Sequence, residues 1–334
     1  MKKIIILGGT SFLGYYTAKE ALKRGYDVSS VSLNHINLKD WFSRQIHVYC
    51  ADVFKSSEDE LTKLLTGYDY MIYSIGPDDR ITPNAPAYDF FRTRLVDYAG
   101  KCFRAAERAG IKKSVVYNSY FAYFDRAHPE LRLSFYHPYI KARVEQADLL
   151  LKQKRHMEVV ILELPYIFGA MPERMPIWKD TFMDRFCNGH KLIFFPKGST
   201  TMTAVQHIGE AGIGAIEYGE DGKHYPIGDE NHSYNWMLDQ MMEGLLGKKR
   251  KIINPPGYIC ALGAKITIGR KDKKAGLEAG LDYYHLMADI MSSDLTIEEE
   301  LMDEVNKKLH ISRGGLKESI LSMVKRCYKD GEFK

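Results

Sequence analysis

Lys2-Lys3-Ile4-Ile5-Ile6-Leu7-Gly8-Gly9-Thr10-Ser11-Phe12-Leu13-Gly14 opens the chain and decides its fold. Ile4 to Leu7 form a short aliphatic run of the kind found in strands buried on both faces. The glycines break that run. Leu13, Thr17 and Ala21 then recur at helical spacing, Lys19, Glu20, Lys23 and Arg24 lie off that stripe, and Gly25 supplies a stop. Strand, glycine turn and amphipathic helix therefore follow in order. Such a turn suits a diphosphate: backbone N–H groups gather at a helix N-terminus, glycine permits positive φ, and no side chain separates backbone from phosphate. Gly8, Gly9 and Gly14, with Thr10, Ser11, Phe12 and Leu13 between them, are the expected cradle of a dinucleotide. The alternative is a structural glycine turn that binds nothing.

Working outward, short β-rich runs alternate with helix-period segments as far as residue 165, the pattern of a parallel sheet covered on both faces. Strands are expected at Lys2–Leu7, Asp27–Ser32, Ile46–Cys50, Tyr70–Ser74, Lys113–Asn118 and Glu158–Leu162. A long helix is expected within Ala87 to Ala109, with Phe91, Leu95, Tyr98, Cys102, Ala105 and Ala109 as its core stripe and Gly110 as its end. Beyond Pro165 the pattern loosens, with helices expected at Ser233–Leu246 and Ile297–Lys308. The fold class is thus α/β: a Rossmann-type doubly wound parallel sheet over residues 1–165, with a smaller mixed α/β domain over 166–334 that covers the substrate, later segments being able to return to the first domain. No internal repeat or low-complexity segment interrupts this reading.

Composition narrows the function classes. The 334 residues are 45% apolar and 27% charged, close to globular averages. A net charge of +4 is too small to mark a nucleic-acid surface. Cys50, Cys102, Cys187, Cys260 and Cys327 are scattered without a CxxC pair, which speaks against a disulfide framework or a zinc site and for a reducing, cytoplasmic setting. The apolar run Ile4–Leu7 is too short for a signal segment, and no run reaches membrane-spanning length, so no membrane partner is expected. Lys248-Lys249-Arg250-Lys251 admits an acidic-lipid or phosphate contact, but a solvated loop before Asn254-Pro255-Pro256 is the favoured reading. With no HExxH and no carboxylate cluster around the histidines, no metal is expected.

The end of the second strand bears on the choice of cofactor. An acidic side chain about 20 residues beyond the glycines would bond the ribose hydroxyls of NAD and repel a 2′-phosphate. Here the strand ends Val31-Ser32-Leu33-Asn34-His35, and the next carboxylate is Asp40. Ser32 and Asn34 can bond either cofactor, whereas His35 or Lys39 can approach a phosphate, which favours NADP over NAD.

At this point the chain resembles the extended short-chain dehydrogenase/reductases, the family of NAD-dependent sugar epimerases and dehydratases. Gly8-xx-Ser11-xx-Gly14 matches their GxxGxxG with serine at the middle position. Ala51-Asp52-Val53 resembles the adenine-contacting Asp and the apolar residue after it. Ser74-Ile75-Gly76 stands where the fourth strand delivers small residues to the cofactor, and Val115-Val116-Tyr117-Asn118-Ser119 followed by Tyr123 resembles the fifth strand with its catalytic Ser. Leu162-Glu163-Leu164-Pro165-Tyr166-Ile167-Phe168-Gly169 resembles LRPxxVYG with Glu163 in place of Arg, which implies a cofactor contact at Pro165. More faintly, Tyr225-Pro226-Ile227-Gly228, Ser233-Tyr234-Asn235-Trp236 and Leu309-His310-Ile311-Ser312 resemble later segments, while Gln206 and His207 replace a usual Asp pair, His207 reading as structural. The resemblance also implies a homodimer.

The departure falls on the catalytic pair, for which the family uses a Tyr and a Lys four residues later on one helical face. Taking Lys141 as the lysine, with Glu145 supporting the register, places His137 at the tyrosine position in Tyr136-His137-Pro138-Tyr139-Ile140-Lys141. Three readings stay open. His137 handles the proton, as an imidazole of pKa about 6.5 can; Tyr136 or Tyr139 serves instead, although Tyr139 is on a different part of the helix from Lys141; or Lys141 only holds the cofactor and no turnover occurs. His137 can equally be a first-turn residue before Pro138, and Ser119 a loop cap rather than a substrate contact. The resemblance implies an NAD(P)-dependent oxidoreductase or epimerase acting on a hydroxyl or keto group of a polar, nucleotide-linked sugar, with Ser119, His137 and Lys141 as its catalytic residues. The competing expectation is a regulatory or sensor protein that binds the dinucleotide without turnover.

Overall fold

In a computed structural model of the chain, residues 1–33, 38, 40–187 and 192–328 are described. Asn34, His35 and Lys39, on which part of the cofactor reading rests, lie outside them. The first part of the chain runs β1 (Lys3–Leu7), α1 (Phe12–Lys23), β2 (Asp27–Ser32), β3 (His47–Cys50), α2 (Glu58–Leu65), β4 (Tyr70–Tyr73), α3 (Ala87–Phe91), α4 (Tyr98–Ala109), β5 (Lys113–Ser119), α5 (Tyr120–Ala127), α6 (Leu133–Tyr136), α7 (Pro138–Gln153) and β6 (Glu158–Leu164). The later part contributes β7 (Tyr166–Phe168), β8 (Leu192–Phe194), β9 (Ser199–Ala204), α8 (Val205–Tyr218), β10 (His224–Pro226), β11 (Glu230–Ser233), α9 (Tyr234–Leu246), β12 (Lys251–Ile253), α10 (Gly257–Ala264), α11 (Arg270–Lys274), α12 (Tyr283–His285), β13 (Asp294–Leu295), α13 (Glu299–Leu309) and α14 (Leu316–Cys327).

All the strands read from the sequence are present, and they pair in parallel in the order β10-β6-β5-β4-β1-β2-β3. This is the Rossmann-type doubly wound sheet. Its strands β1, β4 and β6 are largely apolar because both faces are covered. Ile4, Ile6, Val115, Val160 and Leu162 pack against α1, α8 and α13, whereas Ile5, Leu7, Met71, Val116 and Ile161 pack against α2, α4 and α7. The alternation follows from the two-residue period of a strand, and each fully buried aliphatic side chain contributes roughly 1.5–3 kcal/mol. The seventh strand, β10, comes from the later half and pairs with β6 through His224↔Ile161, Tyr225↔Leu162 and Pro226↔Glu163.

A second core gathers Phe168, Trp178, Phe182, Met202, Tyr234, Met237, Met241 and Met323 beneath a small sheet ordered β11-β9-β13, with β7 also on β9. A two-stranded ribbon, β8 with β12, lies apart. Here the boundaries moved slightly from expectation. α9 starts at Tyr234 because Ser233 caps it, its Oγ accepting from Trp236 N at 3.1 Å, and α13 begins at Glu299 rather than Ile297.

The helix expected across Ala87–Ala109 is interrupted by a π turn over Arg92–Asp97. Such a turn inserts a residue into the helical ladder, and Leu95 O accepts instead from Gln146 Nε2 at 2.8 Å. Phe91, Leu95, Cys102 and Ala105 are fully buried. Tyr98, expected on the same stripe, is only half-buried and stacks on Phe54 at 4.9 Å.

Candidate active site

The carboxyl ends of the central strands open into a cavity of about 300 Å³, where ligands bind in open parallel sheets. The turn after β1 contributes Ser11, Phe12 and Leu13, the turn after β4 contributes Ser74, Ile75 and Gly76, β5 contributes Asn118 and Ser119, and β6 ends in Leu164 and Pro165 at its wall. Eight residues read from the sequence as candidates, Ser11, Phe12, Leu13, Ser74, Ile75, Gly76, Ser119 and Pro165, thus meet in one place, although they come from distant parts of the chain.

The β1 turn explains its own glycines. Gly8 has φ of +91°, its N–H donates to Val31 O at 2.9 Å, and a Cβ there would stand 2.5 Å from Ile75 Cγ2. A Cβ at Gly14 would meet Gly8 O at 2.1 Å, so a side chain would push α1 off β1. Ser11 caps α1, its Oγ accepting from Gly14 N at 3.2 Å. The amides of Phe12 and Leu13, at the first two positions of α1, have no acceptor among the described residues. Two free donors and the positive end of a helix dipole at a cavity wall are the features that hold a diphosphate, so the residues present fit a dinucleotide.

Beneath the turn, Thr10 Oγ1 donates to Ser32 Oγ at 2.8 Å, and Ser32 Oγ lies 3.0 Å from Ser30 Oγ. The Ser32 hydroxyl is therefore engaged within the protein. Asp52 shapes its own loop: its Oδ1 accepts from Phe54 N at 3.1 Å, and Lys55 Nζ lies 3.6 Å from its Oδ2. Val53 is buried.

α7 and its cap carry two of the three expected catalytic residues, His137 and Lys141. Pro138 occupies its first position, where a missing N–H costs nothing, and His137 precedes it as N-cap residue. His137 is fully buried, and its Nδ1 accepts from Asp282 N at 2.9 Å, which assigns the ring proton to Nε2. Burial is the chief cause that pulls its pKa down to about 4, with Asp282 opposing. Lys141 is exposed, its Nζ 4.1 Å from the Tyr88 ring, and Tyr88 Oη donates to Glu145 at 2.6 and 2.8 Å. Neither His137 nor Lys141 lines the cavity.

Tyr139 and Arg143 do line it. Four residues apart, they share the helix face that looks inward. Arg143 Nε donates to Tyr139 Oη at 3.0 Å, while its Nη1 donates to Tyr117 O at 3.1 Å and Gln146 Oε1 at 3.0 Å. Burial raises the Tyr139 pKa and the Arg143 charge works against it. Ser119 both caps α5, with Oγ accepting from Phe121 N at 3.3 Å, and lines the cavity. Its position is locked by Asn118, whose Oδ1 accepts from Ser119 N at 2.6 Å and whose Nδ2 donates to Arg143 O at 2.9 Å.

Further lining residues were not anticipated: Asp78, Asp79, Arg80, Tyr120, Tyr166 and Trp178. Arg80 Nη2 donates to Asp78 Oδ2 at 2.7 Å and its guanidinium lies 5.2 Å from the Trp178 ring. Burial pushes the Asp78 carboxyl up, but Arg80 outweighs it and the pKa is lowered; at Asp79 burial prevails and the pKa is raised. The available signal was the polar run Pro77-Asp78-Asp79-Arg80 directly after Ser74-Ile75-Gly76. Glu163, which stands where the resemblance expects Arg, is fully buried and held by Arg126 Nη2 at 2.6 and 2.7 Å and by His224 Nδ1 at 3.0 Å. The charge has changed sign at 163, and α5 and β10 supply its partners.

With this geometry in view, comparisons with known proteins agree on the fold. Residues 8–168 match the family described as NAD(P)H-binding. A nucleoside-diphosphate-sugar epimerase from Pseudomonas aeruginosa superposes with a TM-score of 0.72 at 16% identity, over 100% of this chain and 99% of that one. The Bordetella bronchiseptica enzyme WbmH, solved in complex with NAD+, superposes with a TM-score of 0.69 at 14% identity, over 99% and 100%. MIOREX complex component 2 of Saccharomyces cerevisiae is 35% identical over 81 residues, which is 22% of this chain and 28% of that protein. Residues 8–168 thus match an NAD(P)H-binding family, and the whole chain shares the Rossmann-type α/β fold of these solved structures.

Proposed function

We propose that the chain is an NAD(P)-dependent oxidoreductase or epimerase that acts on a hydroxyl or keto group of a polar, nucleotide-linked sugar, with Tyr139, Arg143 and Ser119 in the catalytic roles. The observation that carries this reading is the meeting of these three side chains in one cavity with Ser11, Phe12 and Leu13. A bound nicotinamide would supply the hydride acceptor or donor. The free amides of Phe12 and Leu13 hold its diphosphate, and Ser74, Ile75, Gly76 and Pro165 border it. The lack of a carboxylate between Ser32 and Lys39 supports NADP over NAD.

In this scheme Tyr139 Oη accepts from Arg143 and keeps its own proton for the substrate oxygen. Burial holds the phenol neutral, ready to donate, and the adjacent guanidinium stabilises the phenolate when the proton moves the other way. Ser119 Oγ accepts from Phe121 N and offers its hydrogen to the same substrate oxygen. His137 is a buried helix cap and Lys141 a surface residue. The nucleotide-sugar assignment rests on the fold, since the Pseudomonas aeruginosa neighbour is an epimerase of nucleoside-diphosphate sugars.

A second reading, binding without turnover, draws on Arg143, whose guanidinium is spread over Tyr117 O, Gln146 and Tyr139 as a structural tie would be. Titration with NADH and NADPH followed by nicotinamide fluorescence, and then a panel of nucleotide sugars and simple ketones, separates the two. Turnover that Tyr139→Phe abolishes supports the enzyme. Binding without turnover across the panel supports the sensor, and no binding of either cofactor rejects both.

A further inference from the structure

After β12 the chain enters a continuous helical run, α10 followed by a π turn over Lys265–Gly269 and then α11. Its apolar side chains are turned outward. Tyr258 is 61% exposed, Ile259 48%, Leu262 49% and Ile266 48%, and Tyr258, Leu262 and Ile266 follow one another at intervals of four, on one side of a helix. Of the residues of α10 only Ala261 is buried. Lys265, Arg270, Lys271, Lys273 and Lys274 are all exposed in the same run. Its one acidic residue, Asp272, is occupied by Tyr283 Oη at 2.5 Å. Residues 257–274 thus hold five basic and one acidic residue, a formal charge of +4, which equals that of the entire chain; the rest of the molecule is neutral. On the neighbouring ribbon, Leu192 and Phe194 are also exposed, at 49% and 59%, and Leu192 pairs with the exposed Lys251.

We propose that this helical run is a docking surface for an anionic lipid bilayer, with Tyr258, Ile259, Leu262 and Ile266 entering the headgroup region and the flanking lysines and arginine holding acidic headgroups. Charge selects this occupant. A second copy of the chain applied to the same surface would set +4 against +4, whereas an acidic membrane is attracted. A nucleic acid would satisfy the charge but leave the aliphatic side chains in water, and burial of apolar side chains beside lysines is the signature of helices lying in a membrane interface. Among the described residues no helix is long and apolar enough to cross a membrane, so the contact is peripheral and reversible. It gives a use to the cluster Lys248–Lys251, whose Lys249 meets Asp239 at 3.3 Å and whose Lys251 opens the ribbon.

The test is co-sedimentation of the full chain with vesicles of phosphatidylcholine mixed with phosphatidylglycerol and, in parallel, of phosphatidylcholine alone. Binding is expected only to the mixed vesicles, with loss at high salt. The double variant Lys271→Gln/Lys274→Gln is expected to weaken it on the order of twentyfold, from a contribution of about fivefold per charge. Leu262→Gln/Ile266→Gln is expected to abolish it while lowering the thermal midpoint little, since about half of each side chain is already in water. Equal or absent binding to the two vesicles overturns the proposal. So does mixed-vesicle binding that neither double variant reduces. A concentration-dependent dimer that Leu262→Gln/Ile266→Gln dissociates would also overturn it, showing that another copy covers the surface.

Discussion

Two faces of α7 differ in almost every physical respect. The inward face carries Tyr139 and Arg143, joined by a 3.0 Å hydrogen bond at a cavity wall. The face with Lys141 and Glu145 sits against Tyr88 near solvent, and His137, fully buried, closes the helix start and accepts from Asp282 N. Both faces offer a proton carrier and a cation four residues apart. Only the inward pair lines the cavity, so spacing alone does not bring a pair to it.

The largest effect that would break this comparison is on turnover. Tyr139→Phe is expected to lower kcat by roughly 10²–10⁴ with little change in NADPH affinity, as removal of a general acid does; kcat values of His137→Gln within about twofold of the parent would place the chemistry on the inward face. The reverse ranking would restore His137 to the mechanism.

Next comes the pH dependence of stability. The His137 pKa of about 4 lies below its ordinary 6.5, so the unfolded chain takes up the proton first. The stability owed to the neutral ring is complete above about pH 6.5 and is lost as pH falls toward 4, a loss on the order of 3 kcal/mol. His137→Gln, which can still accept from Asp282 N, should flatten that part of a chemical-denaturation profile. His207 has the opposite sign. Burial pulls its pKa down, but Asp229, whose Oδ2 lies 2.7 Å from its Nδ1, wins and the pKa is raised. Its contribution is present below about pH 6.5 and is lost as pH rises through the raised folded value, so His207→Gln should remove a decline on the alkaline side.

A smaller effect is expected from Arg143→Lys, which keeps the charge but cannot serve Tyr139, Tyr117 O and Gln146 together. A buried acceptor left unpaired costs about 1–3 kcal/mol, readable as a lower thermal midpoint alongside reduced kcat. Lys141→Ala should be the mildest, within about 0.5 kcal/mol of the parent in stability and unchanged in kcat. A large loss there would show that the exposed face holds the cofactor.

Much of the fold was legible because local order and burial agree. A strand of Ile4-Ile5-Ile6-Leu7 can lie only between two helical layers, and glycine at 8 and 14 is required by positive φ and by backbone contact closer than any side chain allows. The glycine-turn side of the cavity was legible for the same reason, since each of its motifs is contiguous in sequence. The π turn at Arg92–Asp97 was invisible because its residues keep ordinary helical chemistry, and only Gln146, reaching Leu95 O from α7, marks it.

By itself the sequence determined six strands of the central sheet, the glycine turn and the departure from a Tyr and Lys pair around Lys141, because each depends on the period and identity of neighbouring residues. Which side of α7 faces the cavity was decided by the tertiary structure alone. Tyr139 and Arg143 are turned inward by contacts with Gly280, Tyr117 and Pro77, which come from three different segments. A helix presents several faces with the same four-residue spacing, and only the elements packed around it determine which one meets the cavity.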